Sequence, residues 1–290
     1  MGLILSGISQ SWPSPPAFSV GDIPDQTGKV ILITGGNTGI GFETAKALLP
    51  KNAKVYIACR SRTKAQSAIE RLHEATGKEA IFLELDLASL DSIEKAAETF
   101  LSKEKELHIL FNNAGVMVPE ISQLTAEGYD LTIGTNVLGH YYFTQLLLPA
   151  LLAVSLNGPK KSRVVTTASL TSELVSSVHY ECFRDGPLRR KLGVQRLYAE
   201  SKFVSQRNQP VCCALNYFSV KKWLISKMLY PMPMGALTGL YAGTSEDADD
   251  FNGLYFGPWA RKLPPNPATQ KPEEGKKLWD WLEEQVKKRT

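Results

Sequence analysis

A chain of 290 residues, 43% apolar and 21% charged, has ordinary globular composition and enough length to bury a sizeable core. Its 33 basic and 29 acidic side chains leave a mild, scattered net charge of +4, which argues against a nucleic-acid binder. Four cysteines (Cys59, Cys182, Cys212, Cys213) form no CxxC pair and four histidines show no ligand spacing, so no disulfide framework or metal site is expected and a reducing, cytoplasmic setting fits.

The chain opens with a short apolar stretch, Leu3–Ile8, too brief to span a bilayer and lacking the basic start of a secretory signal. Prolines 13, 15 and 16 mark a linker, so residues 1–27 read as an N-terminal arm, disordered or packed on the surface, with weak membrane-surface contact as the alternative. Residues 28–290 read as one domain. Buried strands are predicted at 29–34, 54–58, 80–85, 107–111 and 163–168. Between them lie helical patterns at 39–49, 62–76 closed by Gly77, 90–103 and about 127–154. Apolar runs without alternation suit strands covered on both faces, and their alternation with helices predicts an α/β fold with a doubly wound parallel sheet. Residues 211–215 can serve as a sixth strand, 235–244 as a helix packed on the sheet and 253–256 as an edge strand. An amphipathic terminal helix over 271–288 carries Leu278, Leu282 and Val286 on one stripe.

The first strand runs into TGGNTGIG, Thr34–Gly41. Glycines 35, 39 and 41 permit a tight turn and a close backbone approach, and the helix that follows offers unpaired N–H groups to a pyrophosphate. This strand–turn–helix setting is what a dinucleotide-binding turn requires, and Asn37, Thr38 and Ile40 belong to the same turn. At the end of the second strand an acid would favour NAD; the chain has Arg60, Arg62 and Lys64 there instead. Arg60 can fork onto a 2′-phosphate, which points to NADP(H), although a solvated basic loop would read the same way. Further along, Tyr198 and Lys202 in YAESK stand four apart, on one face of a helix. A free tyrosine titrates near pH 10, and a fixed ammonium beside it favours the phenolate. Read singly, such a pair is common on solvated helix faces, Asp86 can cap a strand end, Ser169 can cap a turn, and Asn136 can cap a helix break.

Taken together and in order, the TGxxxGxG turn, LDL at 85–87, NNAG at 112–115, Asn136, Ser169 and YxxxK resemble the short-chain dehydrogenase/reductase family, in its retinol-dehydrogenase-like, fungal-type branch. The resemblance covers residues 17–202 well and 222–288 moderately. It implies a Rossmann-type, three-layer αβα domain that passes hydride between NADP(H) and an alcohol, aldehyde or ketone, a lipophilic small molecule in this branch. It assigns Asp86 to the adenine, and Asn113, Ala114 and Gly115 to the floor under the cofactor. It gives Tyr198 the proton transfer and Lys202 the nicotinamide ribose, counting both among the cofactor contacts. Ser169 then steadies the substrate oxygen and Asn136 supports a water and proton relay. A nucleotide-sugar epimerase is disfavoured, because those relatives use another glycine spacing and a larger substrate domain.

The pattern breaks over 203–222. Pro210 predicts a catalytic helix cut short, and the expected Pro-Gly turn and its threonine are absent. A lid over the nicotinamide would then be missing, which favours a second reading: a dinucleotide-binding protein of impaired turnover, acting as sensor, scaffold or defective variant. Family members often pair through this helix, so a homodimer stays open but is weakened by its shortening.

Overall fold

The computed structural model describes residues 15–158, 161–207, 211–215, 231–247, 251–287 and 289. Its centre is an eight-stranded sheet of β1 (Val30–Thr34), β2 (Lys54–Cys59), β3 (Ile81–Glu84), β4 (Ile109–Asn112), β5 (Arg163–Ser169), β6 (Val211–Leu215), β7 (Leu254–Gly257) and β8 (Arg261–Leu263), in the order β3-β2-β1-β4-β5-β6-β7-β8. The first seven pair in parallel and β8 runs antiparallel to β7. The order reverses between β1 and β4, so a crevice opens beyond the ends of those two strands, where ligands bind in open α/β sheets.

β1 is buried at every position because helices cover both faces. Ile31 and Ile33 pack toward α1 (Gly39–Leu48), α2 (Arg62–Thr76) and α7 (Met232–Thr244). Val30 and Leu32 pack toward α3 (Leu90–Lys103), α4 (Leu131–Leu156) and the terminal helix α8 (Pro272–Val286). Each side chain of this size buried contributes about 1.5–3 kcal/mol. Phe18 and Ile23 also join the first of these cores, so the chain packs against the sheet before residue 28. Leu278, Leu282 and Val286 face the second, on the stripe the sequence predicts.

Helix ends follow local chemistry. The Ser61 and Ser89 hydroxyls accept from Lys64 N and Ser92 N to start α2 and α3, and Gly77 closes α2 in the left-handed region at φ 68°. Asp130 caps α4, accepting from Thr132 N at 2.9 Å and Ile133 N at 3.1 Å. The predicted start near Glu127 is therefore moved to the first residue after a carboxylate cap. α4 is apolar and long enough to cross a bilayer, yet every residue from Thr132 to Phe143 is buried inside the fold. Within it, Gly134–Gly139 forms a π turn.

One expectation is corrected. Residues 254–257 are an interior strand, bonded to β6 on one side and β8 on the other. The edge belongs to β8, whose Arg-Lys-Leu sequence is too short and too polar to announce a strand. The catalytic-helix candidate, α6, spans Val194–Arg207. Pro210 and the segment 216–230, where the lid was expected to be missing, lie outside the described residues.

Between β5 and α6 the chain makes two 3-10 turns, Leu170–Leu174 and Tyr180–Cys182, and a short helix, α5 (Pro187–Leu192). Two buried carboxylates fasten this excursion. Glu200 of α6 accepts from His179 N at 3.0 Å, meets His179 Nδ1 at 2.7 Å, and takes Arg196 Nε at 3.0 Å. Asp130 takes the Arg189 guanidinium through Nε and Nη2, each at 2.8 Å, with both partners 1% exposed. Arg189 also reaches Asp185 at 3.2 Å and Gln123 O at 3.1 Å. Trp281 of α8 packs on Tyr129, Tyr180 and Phe183, sealing the same segment.

Removing one partner of a buried ion pair strands the other charge, at a cost of about 3–5 kcal/mol. Arg189→Ala is therefore expected to lower the thermal midpoint markedly in a circular dichroism melt. Arg189→Lys should recover only part of it, since one ammonium cannot reproduce the forked contacts. An unchanged midpoint in Arg189→Ala would refute this account of how the segment is held.

Candidate active site

The loop between β1 and α1 carries the glycine turn. Gly35 sits at φ 68°, a backbone state that resists a side chain, and its N–H donates to Ala58 O at 2.7 Å. Gly41 lies beneath it: a Cβ there would stand 2.4 Å from Gly35 O and 2.6 Å from Asn113 Nδ2. The first turn of α1, beginning at Gly39, thus presses against the loop and the strand-β4 turn at once.

Beyond these strand ends lies a cleft of about 490 Å³. Gly35, Asn37, Thr38, Ile40, Arg60, Lys64, Asp86, Asn113, Ala114 and Gly115 all line it, as the sequence reading anticipated for every one but Lys64. Gly39 and Gly41 do not line it; Gly41 packs behind Gly35 and Asn113, which do. Arg62 turns away, pairing with Glu84 at 3.4 Å and lying over the Phe82 ring at 5.0 Å. Asp86 keeps one local duty, accepting from Ala88 N at 3.0 Å. The residues fit a dinucleotide: a helix N-terminus without side-chain bulk at Gly39 and Gly41, a carboxylate at one end, and two cations after β2.

The floor turn is held by Thr34. Its hydroxyl accepts from Asn113 N and Ala114 N, both at 2.9 Å, and its carbonyl accepts from Asn113 Nδ2 at 2.9 Å. The same hydroxyl meets His140 Nε2 at 2.9 Å, and His140 Nδ1 meets Asn136 O at 3.3 Å. Burial pushes the His140 imidazole down to about 4, the Lys202 charge acting in the same direction and the Asn136 contact opposing.

Asn136 stands in the π turn of α4. Its Oδ1 accepts from Val116 N at 2.8 Å; its Nδ2 donates to Val116 O at 3.0 Å and to Ser201 Oγ at 3.1 Å. Ser201 in turn donates to Tyr198 O at 2.8 Å. Lys202 Nζ donates to Thr167 O at 2.8 Å and lies 6.0 Å from the centroid of the Tyr198 ring. Ser169, buried at the end of β5, accepts from Thr171 N at 3.3 Å. A Cβ on Gly115 would come within 3.1 Å of Asn136 Oδ1 and 3.7 Å of Lys202 Nζ, so the cofactor floor abuts two of the four predicted catalytic residues. Thr34, His140 and Ser201 were not singled out from the sequence. Their roles depend on partners 65 to 106 residues away; Thr34 and Ser201 carried a hint, lying inside TGGNTGIG and YAESK, and His140 carried none.

Comparison with known proteins places these features in context. A family model described as short chain dehydrogenase matches residues 29–182. A short-chain dehydrogenase/reductase of Armillaria gallica is 49% identical, across 99% of each chain. Retinol dehydrogenase 11 of Mus musculus is 44% identical over 53% of this chain and 46% of its own. Among solved structures, a 3-ketoacyl-(acyl-carrier-protein) reductase from Brucella melitensis complexed with NADH superposes with a TM-score of 0.59 at 22% identity, over 79% of this chain and 96% of that one.

The buried imidazole makes stability depend on pH. Unfolded, His140 binds a proton below about 6.5; folded, it resists until about 4. Between those values the unfolded chain holds more protons, so stability contributed by the neutral ring is present above about 6.5 and drains as pH falls toward 4. The separation corresponds to about 3 kcal/mol. Urea melts from pH 7 to pH 4 should show this loss in the parent chain and a smaller one in His140→Gln; equal slopes would refute it.

Proposed function

We propose that this chain, which belongs to the short-chain dehydrogenase/reductase family of oxidoreductases with an NAD(P)-binding Rossmann fold, interconverts an alcohol and an aldehyde or ketone with NADP(H) as cofactor, on a lipophilic small molecule. The observation that carries this reading is the abutment of the floor turn Asn113–Gly115 on Asn136 and Lys202, which sets proton-handling groups beside the cleft.

The preference for NADP(H) is supported by Arg60 and Lys64 lining the cleft and by the lack of any acid from Cys59 to Lys64. A guanidinium forks onto a phosphate; it gives a ribose hydroxyl no acceptor. A lipophilic substrate is supported by Met117 and Val118, exposed apolar residues two and three positions after the floor turn, and by the likeness to retinol dehydrogenase 11.

When bound, NADP(H) supplies or receives the hydride. The chain's own residues manage the proton and the oxygen. Tyr198 gives its phenolic proton to the carbonyl oxygen during reduction and takes it back during oxidation. Lys202, anchored on Thr167 O, sets a positive charge near the ring and favours the phenolate. The Ser169 hydroxyl steadies the substrate oxygen as charge develops on it. Asn136 pins the Val116 backbone and, through Ser201, the turn of α6 that bears Tyr198.

NADPH oxidation against a panel of long-chain aldehydes and ketones tests the reading. Tyr198→Phe should lower turnover by about 100-fold or more while NADPH still binds. Arg60→Glu should raise the KM for NADPH relative to NADH by roughly 10–100-fold, the worth of a hydrogen bond to a charged group. The departure of residues 203–222 from the family pattern favours a second reading, a dinucleotide-binding protein of impaired turnover. NADPH binding with no oxidation of any carbonyl would select that one.

A further inference from the structure

His140 has no assigned part in the proton-transfer chemistry, yet it is 3% exposed and joins the two ends of the site. Its tautomer follows from counting hydrogens. The Thr34 hydroxyl accepts from Asn113 N and Ala114 N, which occupies both of its lone pairs. It therefore has only its own hydrogen left to offer. Two acceptors stand within reach, His140 Nε2 at 2.9 Å and Phe111 O at 3.2 Å. If Nε2 carried a proton, it would be a third donor aimed at an oxygen with no lone pair left. Nε2 is thus the bare nitrogen, and the ring proton sits on Nδ1, facing Asn136 O at 3.3 Å. Burial, which disfavours the imidazolium, agrees with this neutral form.

We infer that His140 is a positioning residue whose Nδ1–H tautomer couples the cofactor floor to the backbone of Asn136. The chain of bonds runs from the Asn113 and Ala114 amides to the Thr34 hydroxyl, to Nε2, and from Nδ1–H to the Asn136 carbonyl. Each half has its own effect. The Thr34 half sets how firmly the floor turn is held, and hence cofactor affinity. The Asn136 half sets where the π turn holds that residue against Val116 and Ser201, and hence turnover. The turnover half rests on the oxidoreductase reading above; the affinity half does not.

Two substitutions separate the halves. His140→Asn keeps a donor where Nδ1 stands and loses the acceptor toward Thr34. His140→Gln keeps an acceptor where Nε2 stands and loses the donor toward Asn136. NADPH Kd is read by fluorescence titration, and kcat at saturating NADPH by absorbance. His140→Asn should weaken NADPH binding about tenfold, the size of one buried hydrogen bond lost, with kcat within about threefold. His140→Gln should keep Kd within about twofold and lower kcat about tenfold. Adding Thr34→Val to His140→Asn should weaken NADPH binding no further than Thr34→Val alone, because the two act through one bond. Equal changes in Kd and kcat for both variants, or additive losses in the double variant, overturn the inference. Should His140→Asn fail to fold, Gln retaining NADPH affinity where His140→Leu loses it supports the coupling, and equal affinities overturn it. If the parent chain binds NADPH and reduces nothing, the oxidoreductase reading fails while the Kd comparison still decides the Thr34 half.

Discussion

Four polar groups converge on one hydroxyl where β1 ends: the amides of Asn113 and Ala114, the ring of His140 and the carbonyl of Phe111. Thr34 can hold them because β1 and β4 are adjacent parallel strands, with Ile33 level with Phe111. The hydroxyl then sits at the mouth of the crevice where the strand order reverses. The site lies away from bulk water, with Thr34 wholly buried, so each of these bonds is electrostatically stronger than it would be in solvent. The close approach of α1 depends on the same turn, since Gly41 nearly touches the Asn113 amide that Thr34 O fixes.

The other side of the site is organised by buried carboxylates. Asp130 does two jobs: it caps α4 and it receives Arg189. Glu200 lies two residues from Tyr198 and ties His179 to the helix that bears it. The excursion between β5 and α6 is thereby fixed both to the helix carrying Asn136 and to the one carrying Tyr198. Ordering that stretch of irregular chain is opposed by backbone entropy, and the ion pairs, with the aromatic cluster on Trp281, supply the opposing contacts.

The sequence made the sheet readable because strands covered on both faces are written as contiguous apolar runs, and VILIT is the plainest of them. The glycine turn was readable because its neighbours, a strand and a helix, are local. Arg60 could be placed at the cleft for the same reason, whereas the diversion of Arg62 could not, since it depends on Glu84 and Phe82 in the next strand. Thr34 appeared only as a letter in a motif; its meaning comes from partners on β4 and α4. The histidines showed no ligand spacing, and the importance of His140 is invisible until the chain brings position 34 to it. Asp130, Glu200 and Arg189 were not singled out at all, because nothing in local composition reports that a charge has a buried partner.

The π turn at Gly134–Gly139 gives α4 a rotational phase shift. An i→i+5 turn accommodates one residue more than the regular helix, so residues before and after it are offset by about 100° from the continuation of a straight α-helix. Upstream, the helix is set by the Asp130 cap; downstream, Tyr142 and Phe143 are set by the core against the sheet and α3. Asn136 lies at the junction, where one helix satisfies two angular demands that an uninterrupted α-helix could not meet together. Straightening the helix at constant length would turn the whole downstream face out of register with the core, whereas loss of one residue within the turn would let a regular helix keep that face in place, a coupling between chain length and side-chain direction.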